Sequence, residues 1–86
     1  MLEKEIIISN ATGLHARPAA KLVEVCGPFS SSIFLDFNGK KINAKSIINV
    51  MTSGVASGSE VTLRVEGEDE EEAFKAVVDY LDNLPD

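Results

Sequence analysis

The stretch "SSIFLDFNGKKINA", Ser31 to Ala44, contains the most legible turn in the chain. Asn38-Gly39 is a favoured pair for a two-residue type I′ turn, which needs a positive φ at both central positions. Such a turn sets the register of its flanks. Phe37 opposes Lys40, Asp36 opposes Lys41, and Leu35 opposes Ile42. The last two pairings are chemically consistent, an opposite-charge pair on one face and an apolar pair on the other. A hairpin with one apolar face requires a covering layer, and the sequence on either side supplies one.

Upstream, "EKEIIIS" is a short β-rich run closed by the turn-like "NATG". In "HARPAAKLVEVCGP", Ala16, Ala19, Ala20, Val23 and Cys26 recur at helical spacing. Pro18 suits a first turn, where no intrahelical N–H is lost. Gly27-Pro28 is a stop signal, with Gly27 expected in the left-handed cap conformation. A helix from about Ala16 to Cys26 follows. Downstream, "KSIINVMTSG" predicts a short helix with Ser46 as N-cap and Gly54 as stop. Its Ile47, Ile48, Val50 and Met51 cover more than one side, so some face solvent or a partner.

"SEVTLRVEG" alternates, with Val61, Leu63 and Val65 inward and Thr62 and Arg64 outward. The final "DEEEAFKAVVDYLDNL" is amphipathic on Ala73, Phe74, Val77, Leu81 and Leu84. Asp69 and Glu72 are spaced as a capping box. The order β-α-β-β-α-β-α predicts an α+β fold, with helices on one face of an antiparallel sheet and a wet opposite face.

The 86 residues are enough for one domain, 1–86, and one modest core. Cys26 is the only cysteine, which excludes an internal disulfide and reads as a buried thiol in a reducing compartment. No apolar run is long enough to span a bilayer, and "MLEKEIII" lacks a leader's layout, so a cytoplasmic protein without membrane insertion is expected. A net charge of −6 argues against nucleic-acid binding. The charge is uneven. Between Asn10 and Val50 stand Arg17, Lys21, Lys40, Lys41 and Lys45 against Glu24 and Asp36, a balance of +3. From Glu60 onward ten acidic residues face two basic ones. The basic segment contains the only histidine and could steer an acidic partner toward it.

That histidine, His15, precedes a helix whose first N–H groups are unpaired and whose dipole is positive. Arg17 adds a forked cationic donor suited to phosphate. The pattern fits a histidine that accepts a phosphoryl group, and it fits a plain helix-capping histidine as well. One histidine and one distant cysteine give too few ligands for a metal. A triad has no nucleophile at identifiable spacing, although sequence distance does not exclude Ser46.

"GLHARPA" at Gly13–Ala19 resembles the phosphorylation motif of the bacterial phosphocarrier family HPr, and "AKSI" at Ala44–Ile47 resembles its regulatory serine motif. The resemblance is collinear over essentially the whole chain. It implies an open-faced β-sandwich with strand order 1-4-2-3. It also implies that enzyme I phosphorylates His15 at Nδ1, with phosphoenolpyruvate as source, and that His15 passes the group to the A domains of sugar-specific enzymes II. Arg17 would stabilise the phosphate. Lys21, Ile47, Ile48 and Met51 would form the docking surface. Ser46 would be the target of an ATP-dependent HPr kinase/phosphorylase. The implied protein is a monomeric carrier, not an enzyme, and needs no cofactor. An alternative within the family is a regulatory phosphoprotein, of the nitrogen branch or of catabolite repression, read through Ser46 or His15.

Overall fold

A computed structural model describes residues 1–84 of the chain. The elements are β1 (Leu2–Ile7), α1 (Ala16–Cys26), β2 (Ser32–Phe37), β3 (Lys40–Asn43), α2 (Ile47–Met51), β4 (Glu60–Glu66) and α3 (Glu70–Asp82). The four strands form one antiparallel sheet in the order β1-β4-β2-β3.

The hairpin has the register its turn dictates: Leu35 pairs with Ile42, Asp36 with Lys41 and Phe37 with Lys40. Asn38 and Gly39 sit at φ 50° and 78°, as a type I′ turn requires. β4 runs down the middle of the sheet and buries Val61, Leu63 and Val65 on its inner side. On the outer side Arg64 forms ion pairs with Glu3 at 2.9 Å and with Asp36. This face is the wet one, and Lys41 lies there with its ammonium 4.2 Å from the centre of the Phe34 ring.

The inner face is covered by the helices. α1 buries Pro18, Ala19, Leu22 and Cys26, while Ala16 and Ala20 are exposed and Val23 is half-buried. The buried stripe is therefore rotated from the alanine-based one, because burying Leu22 removes far more apolar area than burying an alanine. A leucine side chain contributes about 1.5–3 kcal/mol when fully buried. α3 buries Ala73, Val77 and Leu81, with Phe74 and Leu84 packed at the margin. Gly27 is right-handed, at φ −55° and ψ −42°, and its N–H donates to the Val23 carbonyl. The end of α1 thus needs no left-handed glycine, and Pro28 stops the helix.

The Asp69–Glu72 capping box does not form. Asp69 occupies the N-cap position but makes no capping bond. Its carboxylate instead accepts the N–H groups of Ser30 and Ser31 at 2.9 and 3.0 Å, and the Ser31 hydroxyl as well. It fastens the α1–β2 loop to the start of α3. Gly67 allows this approach, since a Cβ there would lie 2.6 Å from the Ser31 Cα. Among the described residues no helix is long and apolar enough to cross a membrane.

Candidate functional site

His15 is the N-cap of α1. Its backbone is extended, at φ −116° and ψ 170°, and its exposed ring makes no capping hydrogen bond. The plain capping role is therefore not realised by this side chain. Its carbonyl accepts the Ala19 N–H at 3.3 Å. Pro18 has no N–H, so Ala16 and Arg17 supply the outward backbone donors of the first turn. Arg17 is exposed and belongs to no ion pair among the described residues. A helix end with two backbone donors and an uncommitted guanidinium favours an anion. An imidazole at its edge can offer a ring nitrogen to phosphorus while the added charge rests at that positive end.

The backbone leading into His15 is pinned. Asn10 is buried, and its side-chain amide donates to the Gly13 carbonyl at 3.1 Å. Gly13 sits at φ 71°, pressed so close to the Val55–Ala56 backbone that a Cβ would lie 2.5 Å from the Val55 carbonyl oxygen. The neighbouring Leu14 N–H donates to that same oxygen at 3.0 Å, and the Leu14 side chain is buried. Only glycine permits this approach. Ala16, directly after the histidine, holds a positive φ of 25°, a sparsely populated conformation for a residue with a Cβ. Beyond it, the Tyr80 hydroxyl of α3 donates to the Pro18 carbonyl at 3.0 Å. Burial raises the Tyr80 pKa, which keeps the phenol a donor. Asn10 and Tyr80 escape a sequence reading. The one usable signal is that a tyrosine on a packed helix needs a partner for its hydroxyl.

Ser46 caps α2 as the sequence predicts, its hydroxyl accepting the Asn49 N–H at 3.3 Å. α2 packs against α1 and β3. Val50 is buried, whereas Ile47, Ile48 and Met51 are 37%, 70% and 48% exposed. Three large apolar side chains uncovered on a five-residue helix form a patch that folding alone does not explain.

The basic segment does not gather around His15 as a unit. Arg17 and Lys21 are on α1, where Lys21 pairs with Glu24 at 3.5 Å. Lys45 is committed to the Phe29 carbonyl in the α1–β2 loop. Lys41 stacks on the wet side of the sheet, with Lys40 beside it at the hairpin turn. The charge available at the helix end is thus mainly that of Arg17. Cys26 is buried, and burial pushes its thiol up to about 12 despite the nearby Lys45. It remains a protonated core side chain.

The family model described as "PTS HPr component phosphorylation site" matches residues 2–83. The chain is 45% identical over 82 residues to the HPr-like protein Crh of Halalkalibacterium halodurans, covering 95% of this chain and 98% of that protein. A crystal structure of HPr from Thermoanaerobacter tengcongensis superposes with a TM-score of 0.91 at 52% identity, over 95% of this chain and 92% of that one. The crystal structure of Bacillus subtilis Crh superposes with a TM-score of 0.76 at 44% identity, over 95% and 94% of the two chains. That protein is described as a dimer with a swapping domain, which undercuts the expectation of a monomer.

Proposed function

The chain belongs to the HPr family, and from that premise we propose that it is the phosphoryl carrier of a phosphoenolpyruvate-dependent sugar phosphotransferase system. The observation that carries this reading is the start of α1. His15 is exposed there, its ring is free of any capping bond, and Arg17, two residues on, forms no ion pair among the described residues.

In the forward step, a neutral His15 ring nitrogen, Nδ1 by family resemblance, attacks the phosphorus held on enzyme I. The new N–P bond forms as the bond from phosphorus to its carrier atom on enzyme I breaks. The departing electron pair stays with that atom, and the phosphoryl charge settles against Arg17 and the helix end. A second transfer of the same kind, in which the His15 N–P bond breaks as the acceptor's bond to phosphorus forms, delivers the group to an enzyme II A domain. The chain is consumed and regenerated, and turns over only with its partners, so it is a carrier and not an enzyme. Ile47, Ile48 and Met51 supply apolar docking area, and Arg17 and Lys21 supply charge for acidic partner surfaces.

A second reading has its own support, because the Crh relatives are named as HPr-like proteins and one is described with catabolite repression. In it the chain is a regulator read through Ser46, phosphorylated by an HPr kinase/phosphorylase. A phosphate at this N-cap would add about two negative charges at the docking face and repel acidic partners.

Intact-mass analysis separates the readings. With enzyme I, magnesium and phosphoenolpyruvate, the carrier gains one acid-labile phosphate and loses it when an enzyme II A domain is added. His15→Ala gains none. A wild type left unmodified by active, cognate enzyme I would transfer the weight to the Ser46 reading.

A further inference from the structure

The first turn of α1 is weakly secured by its own chain. The His15 side chain gives no cap, its carbonyl receives a long bond at 3.3 Å, and Pro18 contributes no N–H. Ala16 stands at a positive φ besides. Helix ends of this kind fray. Phosphoryl acceptance at His15 nevertheless requires the ring and the Ala16 and Arg17 donors in one geometry.

One bond from outside the helix supplies what the turn lacks. The Tyr80 hydroxyl reaches the Pro18 carbonyl across 62 residues of sequence, at 3.0 Å. Tyr80 is delivered by α3, a helix anchored through Ala73, Val77 and Leu81, with its own ring packed against the core. Pro18 is itself buried, so water is a poor substitute for the lost donor.

We infer that Tyr80 is a positioning residue for His15: by holding the Pro18 carbonyl, its hydroxyl keeps the first turn of α1 in the geometry that receives a phosphoryl group. The inference rests on His15 as acceptor, yet it concerns a geometry that exists before any phosphate arrives.

Tyr80→Phe keeps the ring and removes only the hydroxyl. The probe is phosphoramidate, a small phosphoryl donor that needs no protein partner, used on the full chain. The variant is expected to show faster amide exchange at Ala19, whose N–H bonds the His15 carbonyl, and a shifted His15 ring signal by NMR. Its phosphohistidine should hydrolyse about three- to tenfold faster, the range set by one neutral hydrogen bond. Val78→Ala loosens the same helix without touching the hydroxyl and should leave both readouts at wild-type values. Unchanged exchange and lifetime in Tyr80→Phe, or equal changes in Val78→Ala, would overturn the inference. If the wild type takes no phosphate, the acceptor reading fails, and amide exchange alone decides the positioning role.

Discussion

At the start of α1 the His15 ring makes no bond to its own helix, whereas at the start of α2 the Ser46 hydroxyl accepts the Asn49 N–H. Both residues occupy N-cap positions with extended backbones. The difference lies in what each side chain has left to offer. Ser46 contributes to stability, and chemistry on it alters a group already in use. The His15 side chain contributes no capping bond to its helix, so its ring is available to a reaction at no structural cost. A third helix start sharpens the contrast: Asp69, at the head of α3, spends its carboxylate on Ser30 and Ser31 of a distant loop.

The strongest way to break this comparison is His15→Ala. It should remove all phosphoryl acceptance from enzyme I while changing unfolding free energy by no more than about 0.5 kcal/mol, as for a surface substitution with no bonds to lose. Urea unfolding beside the mass assay checks both halves. A large loss of stability would mean that the ring caps after all.

Gly13→Ala attacks the frame that holds the histidine. The new Cβ meets backbone at 2.5 Å and the residue keeps a positive φ. Overpacking and the left-handed conformation together should cost about 2–5 kcal/mol. Denaturant midpoints would show it, and phosphoryl acceptance should fall along with the loop's order.

Ser46→Ala should cost about 0.5–2 kcal/mol, the range for losing an N-cap side chain. Enzyme I should still charge His15 in this variant. An unchanged melting temperature would remove the contrast between the two helix starts.

The Asp69 carboxyl is held below the usual carboxylate range, first by the Ser31 hydroxyl and then by the Ser30 N–H. Folding favours its charged form. The resulting stability is present above the unfolded-state carboxylate pKa and is lost as pH falls through the lower folded-state value. Asp69→Ala should melt below the wild type at neutral pH, and calorimetry on acidification should see the gap narrow. A gap independent of pH would show that the carboxylate charge is not what matters.

An equally small effect on folding is expected at Ile48, which is 70% exposed. Ile48→Ala should leave stability within about 0.5 kcal/mol. It should weaken enzyme I binding by about three- to tenfold, the worth of one to two buried methylene groups at about 0.8 kcal/mol each. Titration calorimetry reads the second number.

The parts of this molecule legible in the sequence are those set by neighbours along the chain. Asn38-Gly39 dictates the hairpin register residue by residue, and alternation in β4 assigns its two faces. The bounds of α1 and the Ser46 cap follow from local stop and cap signals. What stays illegible is set by contacts between distant segments. Asp69 obeys the local capping rule in sequence, but Ser31, 38 residues away, offers it better-placed donors. The alanine spacing in α1 suggests one stripe, and the sheet beneath selects another centred on Leu22. Lys40, Lys41 and Lys45 read as neighbours of His15 in charge counts, yet the hairpin takes two of them to the far side of the sheet and its turn. At the site itself, His15, Arg17 and Ser46 can be picked out from short motifs. Asn10, Gly13 and Tyr80 hold the frame through bonds and close approaches that no spacing announces.

The most direct test of the contrast between the two caps is site-resolved mass spectrometry after incubation with enzyme I and phosphoenolpyruvate. The account predicts a single acid-labile phosphate on the peptide containing His15 and none on the peptide containing Ser46. An acid-stable phosphate on Ser46, or no phosphate on either peptide, would contradict it.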